Sequence, residues 1–212
     1  MSGTADHYRD RYAGYDEAAD SHGHSDTLDD RIGAALRALE GKGRRRVLDF
    51  GCTVGKAAER FLAAGHDVVG MDISDSAIEV AARRVPAAKF VLVRSESEIP
   101  LPDASVDVVY ASEVIEHMFD VTGFLREAHR VLADGGMFVI TVPYHGRLKS
   151  VLIALRNFER HYDPTHGHIR FFTRRSLSAC LEKAGFRVLS WRGIGRTWAL
   201  WKCMFVVAEK RA

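Results

Sequence analysis

Apolar positions along the chain follow two alternating rhythms. Short, nearly continuous apolar runs, as in buried strands, are separated by stretches where apolar residues recur every three or four positions, as on one helix face. The runs are Val47 to Phe50, Asp67 to Asp72, Lys89 to Arg94, Val106 to Ala111 and Met137 to Val142. Between them, Lys56 to Ala64, Ser74 to Arg84 and Thr122 to Leu132 read as helices, the last ended by Asp134-Gly135-Gly136. Upstream, Leu28, Ile32, Ala35, Leu36 and Leu39 recur at helical spacing behind Ser25 or Asp26 as N-cap, and Gly41 and Gly43 stop that helix. Downstream, Thr173 caps a helix from Arg174 to Ala184, with Gly185 at its C′ position. Phe186 to Trp191 and Lys202 to Ala208 then close the chain as an antiparallel hairpin at a sheet edge.

This alternation predicts an α/β fold: a doubly wound, mostly parallel seven-stranded sheet with an antiparallel edge strand, helices on both faces and right-handed crossovers. Ligands in such sheets lie beyond the carboxyl ends of the strands. The chain divides into a helical cap (1–43), a ligand-binding core (44–142), a lid after the fifth strand (143–173), and a last helix with closing strands (174–212), all within one domain. The lid is a connection of about thirty residues, too long for a plain connector in a compact domain. It holds a helix-like piece, Leu148 to Phe158, apolar at Leu148, Val151, Leu152 and Leu155 and flanked by Arg147, Lys149 and Arg156. Such a piece suits a wall of an acceptor pocket, or a peripheral contact with a membrane surface.

Composition narrows the class. With 212 residues and 47% hydrophobic content, the chain can bury the core of one globular domain. A net charge of +2 is far from the footprint of a dedicated nucleic-acid binder. Three widely spaced cysteines, with no metal-type pair, predict a reduced, cytoplasmic setting. No apolar run long enough to span a bilayer and no signal-peptide pattern is expected.

The chemistry concentrates after the first strand, in Asp49-Phe50-Gly51-Cys52-Thr53-Val54-Gly55. Two glycines let the backbone turn sharply and approach a ligand, and the following helix opens with N–H groups aimed at it. Asp72 ends the second strand 17 residues past Gly55, a place suited to ribose hydroxyls. A nicotinamide-dinucleotide enzyme would want G-x-G-x-x-G here to seat a pyrophosphate. This chain has G-x-x-x-G with Asp49 close by, which suits a cationic ligand better than an anionic one.

Taken in order, these segments resemble the class I S-adenosylmethionine-dependent methyltransferases, with type 11 and ubiquinone-type O-methyltransferases as the nearest variety. VLDFGCTVG is similar to that family's first motif; SESEIPLPDASVDVVYASEVIEHMFD resembles its stretch from the adenine loop through strand four. FLREAHRVLADGGMFVITVP and HGHIRFFTRRSLSACLEKAGF resemble its strand-five block and its last helix, so the likeness covers about residues 45–210. It implies a Rossmann-like fold, S-adenosylmethionine as cofactor and a methyl-transferring enzyme. It further implies cofactor contacts from Asp49, Gly51, Cys52, Thr53, Gly55, Asp72, Ile73, Ser95, Glu96 and Ser112, with Tyr12, beside Tyr8, closing over the amino-acid end. Two positions depart from the pattern. Thr53 stands where the family has its middle glycine, and Ser95 where it has an aspartate, leaving Glu96 to take over that hydrogen bond.

The transfer this implies is an in-line displacement at the sulfonium methyl, so positioning supplies most of the help. A hydroxyl acceptor also needs a base near neutral pKa, and His117, His145 and the lid histidine His166 are the candidates, with His161 and His168 beside them. The expected acceptor is a small-molecule hydroxyl of a natural product, sugar or quinone-like lipid. Two alternatives stay open. Glu113, Glu116, His117 and His166 form an oxygen/nitrogen set suited to Mg²⁺ or Mn²⁺, in a pattern similar to the small-RNA 2′-O-methyltransferases; a metal is not the favoured reading. The other is a methyltransferase-like domain that binds a ligand without catalysis, which only Thr53 supports. Oligomeric state is not legible here.

Overall fold

A computed structural model describes residues 27–95, 97–163, 167–196 and 200–211. Seven strands form one sheet: β1 (Arg46–Phe50), β2 (Asp67–Asp72), β3 (Lys89–Leu92), β4 (Val106–Ser112), β5 (Leu132–Pro143), β6 (Phe186–Ile194) and β7 (Cys203–Lys210). Their spatial order is β3-β2-β1-β4-β5-β7-β6. The first five run parallel to one another, and β7 runs antiparallel between β5 and the outermost strand β6. The expected closing hairpin is therefore present, with its second strand on the inside.

Neighbouring residues in each central strand face opposite ways, which sorts the apolar runs into two layers. Leu48, Val109 and Phe138 join one core with Phe124 and Leu125 of α4 (Val121–Val131) and with Leu177 and Leu181 of α7 (Arg174–Lys183). Val47, Val108 and Val139 join the other, with Ile32 and Ala35 of α1 (Leu28–Leu39) and Phe61 of α2 (Lys56–Ala63). Being covered on both faces is what lets these strands be continuous in apolar residues. The last described helices are α3 (Asp75–Arg84), capped by the Ser74 side chain, and the lid pair α5 (Arg147–Arg156) and α6 (Phe158–His161). Among the described residues, no helix is long and apolar enough to cross a membrane.

Three boundaries differ from the sequence expectation. The helix α4 stops at Val131, before the Asp-Gly-Gly turn, because Leu132 goes extended, is fully buried and pairs with Val106. The residues 133–136 then bulge, with Gly135 at φ 68°, before the ladder resumes at Val108 and Met137. The N-cap position of α1 is Thr27, whose side chain makes no cap hydrogen bond. The lid piece is two helices broken at Asn157.

Candidate functional site

Strand order reverses between β1 and β4, and the crevice at their carboxyl ends is where an open α/β sheet seats a ligand. The turn after β1 is tied to β2 by the N–H groups of Gly51 and Cys52, which both donate to the Met71 carbonyl at 2.7 and 3.0 Å. Gly51, Thr53 and Gly55 all take left-handed φ, at 76°, 47° and 79°. A Cβ on Gly51 would meet Val114 Cγ2 at 2.5 Å, so the loop after β4 closes against bare backbone there. The departure at Thr53 is thus borne by the backbone: a β-branched residue holds a conformation that glycine adopts freely.

Asp72 holds that conformation in place. Its carboxylate is buried and accepts from the Thr53 N–H (Oδ2, 2.9 Å) and the Ser74 N–H (Oδ1, 2.9 Å). Asp49 sits behind it, 2% exposed, with no hydrogen-bond partner for Oδ2 among the described residues. Burial, and secondarily the Asp72 charge, push the Asp49 carboxyl up to about 7. A buried carboxylate oxygen without a donor, next to a turn with three left-handed residues, fits a ligand with a cationic group near the backbone. That is the character of the S-adenosylmethionine amino-acid tail and sulfonium.

Of the other expected cofactor contacts, Cys52 is buried and its thiol is pushed up by that burial, which makes it a packing residue of the turn. Ile73 is half-buried against the core, and Ser95 accepts from the Ser97 N–H at 3.3 Å. Tyr12, Tyr8, Glu96 and His166 lie outside the described residues.

The loop after β4 carries the second half of the site. Ser112 Oγ donates to Thr141 Oγ1 (3.0 Å), and Thr141 in turn donates to Glu113 Oε1 (2.9 Å). Arg31 Nη1 of α1 lies 3.7 Å from the same oxygen and is buried. Glu113 itself is held at φ 56°. Burial raises its carboxyl, and Arg31 opposes that rise. Strain and a buried ion pair at one residue mark a position that the surrounding structure over-determines.

One turn on, in the 3-10 helix Ile115–His117, Glu116 has no exposed surface, and neither carboxylate oxygen has a partner among the described residues. Burial, with Glu113 second, holds its carboxyl well above the usual range. His117 Nδ1 is 2.7 Å from the Gly167 carbonyl. A carbonyl only accepts, so Nδ1 carries the proton, and in the neutral ring Nε2 carries the lone pair. The His168 ring lies 4.7 Å from that of His117, and Glu116, His117 and His168 each offer a ligand atom within 4.8 Å of the others. This group differs from the expected set: His168 stands in it, Glu113 does not, and His166 lies outside the described residues.

His145 is elsewhere in the lid. Its Nδ1 donates to the Pro143 carbonyl (3.1 Å), and its Nε2 lies 3.3 Å from Nε2 of His161, with the Phe171 ring edge-on at 5.0 Å. Burial pushes His145 down to about 4, so it stays neutral at physiological pH.

Glu113 stands out in the sequence and its partners do not. Arg31 falls on the buried stripe of its helix, between Leu28 and Ala35, and a charge on that stripe is the signal that was available. Thr141 is a hydroxyl inside an apolar strand, the same kind of signal.

This crevice belongs to a nucleoside-binding class of α/β sheets, and comparison narrows it. A methyltransferase-domain family matches residues 20–190. A protein named a probable S-adenosylmethionine-dependent methyltransferase from Mycolicibacterium smegmatis is 32% identical over 71% of this chain and 55% of its own length. A ubiquinone biosynthesis O-methyltransferase of Azorhizobium caulinodans is 33% identical over 76% of this chain and 64% of its own. The chain thus spans between half and two thirds of the length of these relatives. The solved magnesium protoporphyrin IX methyltransferase of Synechocystis PCC 6803, with bound S-adenosylhomocysteine, has the same fold, with TM-score 0.74 at 13% identity over 97% of both chains. The chain belongs to the class I S-adenosylmethionine-dependent methyltransferases, whose cofactor is S-adenosylmethionine.

Proposed function

We propose that the chain moves the methyl group of S-adenosylmethionine onto a hydroxyl of a small molecule, a natural product, sugar or quinone-like lipid. The observation that carries this reading is His117. The Gly167 carbonyl fixes its tautomer, and it sits on the loop that follows β4 at the crevice end of the sheet. The named O-methyltransferase among the relatives supports an oxygen acceptor.

The cofactor supplies an electrophilic methyl on a good leaving group. The chain's own residues do the rest. The Gly51–Gly55 turn and Asp72 would hold the nucleoside, with Asp49 toward its cationic part. An acceptor hydroxyl placed against His117 would pass its proton to Nε2. The Gly167 carbonyl stabilises the imidazolium through Nδ1–H. His145, with its low proton affinity, packs the lid against β5.

The test is turnover with radiolabelled S-adenosylmethionine and a panel of phenolic, sugar and polyketide hydroxyls. His117→Ala should lower kcat by roughly 10²–10⁴-fold while calorimetric cofactor affinity stays unchanged. Equal turnover by the variant would remove His117 from the role, and cofactor binding with no transfer to any acceptor would favour the non-catalytic alternative.

A second reading rests on Glu116, whose two carboxylate oxygens have no partner among the described residues and lie beside two imidazoles. With Glu116, His117 and His168 holding Mg²⁺ or Mn²⁺, the metal would lower the acceptor pKa and His117 would be a ligand instead of a base. Loss of transfer on EDTA treatment and recovery with Mn²⁺ would select this reading, and transfer to an RNA 2′-hydroxyl would give it a nucleic-acid acceptor.

A further inference from the structure

We infer that the outer face of α5 is a docking surface for an anionic lipid bilayer. This helix leaves an apolar stripe uncovered. Its ten residues include none that is buried. Leu148, Val151 and Leu155, spaced to share one face, are 53, 54 and 77% exposed, and Phe158 of α6 adds a fourth apolar side chain at 53%. The inward side is instead led by Lys149, whose ammonium donates to the carbonyls of Trp201 (2.9 Å) and Lys202 (3.4 Å) and lies 5.8 Å from the centre of the Tyr144 ring. A surface helix ordinarily turns its apolar stripe to the core and its charges to water. Here Lys149 turns inward beside the half-buried Leu152 and Ile153, while Leu148, Val151 and Leu155 face out, so something other than this core covers those three.

The charges around the stripe say what that is. Arg147, Arg156 and Arg160 are exposed along it, and the one acid in the two helices is Glu159. A second copy of this chain would set arginine against arginine. An anionic headgroup layer would pair with all three while the four apolar side chains enter the acyl boundary, the pattern of an interfacial helix. The chain as a whole is close to neutral, at +2, so this attraction is local to the lid. The inference is independent of the reaction assigned above.

The test is co-sedimentation of the full chain with vesicles of phosphatidylcholine alone and of phosphatidylcholine mixed with phosphatidylglycerol. Binding to the anionic vesicles, weakened about tenfold in high salt, is the expected result. A double variant, Val151→Ser with Leu155→Ser, should weaken it by about tenfold with an unchanged thermal melt. Arg147→Gln with Arg156→Gln and Arg160→Gln should erase the preference for anionic over neutral vesicles. Absence of sedimentation with either vesicle, or sedimentation of the serine variant like the parent, would overturn the proposal. So would a dimer in light scattering that the serine variant dissolves, since a second copy would then be the occupant.

Discussion

Thr53 keeps φ at 47°, where a β-branched side chain crowds its own backbone, and Asp72 holds it there through one N–H bond. Glycine at that position would relieve a left-handed strain of about 1–2 kcal/mol and give back about 0.5–1 kcal/mol in unfolded-state entropy. Thr53→Gly is therefore expected to raise stability by up to about 1 kcal/mol, read as a higher urea midpoint at constant slope. Asp49 makes the opposite kind of statement. Burial lifts its folded-state pKa to about 7 from an ordinary 3.8. Between those values the unfolded chain has released the proton and the folded chain has kept it, so stability falls as pH rises through this window. Urea titrations at several pH values should show Asp49→Asn gaining on the parent as pH climbs from about 4 to about 7, and level thereafter. A parent and variant that stay parallel across the range would mean that Asp49 is not the buried titrating group.

At the scale of elements, boundaries set by local chemistry were legible and those set by distant pairing were not. The helix α7 was readable because its start is written in neighbouring residues. The Thr173 side chain accepts from the Ser176 N–H (3.1 Å), and Ser176 Oγ accepts from the Thr173 N–H (2.9 Å), a reciprocal capping box. Thr173→Ala should cost about 1 kcal/mol, seen as a lower urea midpoint, because α7 also carries Leu177 and Leu181 into the core. The end of α4 was misplaced for the opposite reason. Nothing local marks Leu132 as extended; its partner Val106 lies 26 residues away in sequence. The site follows the same division. The glycine turn and Asp72 are sequence-local signals, whereas the Arg31–Glu113 contact and the gathering of His168 with Glu116 depend on which elements the fold brings together.

For the molecule as a whole, strand order is what turns separate motifs into one pocket. β1 lies between β2 and β4, so the Gly51 turn, Asp72 and Glu113 all emerge at the same sheet end although they span more than sixty positions of sequence. The alternation of runs predicted this order of events along the chain, but the pairing of β7 with both β5 and β6 comes from tertiary packing that periodicity does not encode. A ligand that bridges those three segments binds the folded sheet and has no counterpart in the unfolded chain, so its affinity appears as stability. At about 100 times its Kd, S-adenosylhomocysteine should add about 2.7 kcal/mol. For a chain of this length that corresponds to roughly 5–11 °C in Tm by scanning calorimetry. Because Asp72 also staples Thr53 and Ser74, Asp72→Ala should lower the ligand-free Tm as well as abolish the increment, whereas Asp49→Asn should reduce the increment without that loss. NAD at the same concentration should give no shift, since the turn has G-x-x-x-G in place of the G-x-G-x-x-G of a pyrophosphate cradle and faces its ligand with a buried carboxylate. A larger shift with NAD than with S-adenosylhomocysteine would place the chain's ligand in the wrong chemical class and undo the cofactor assignment at its root.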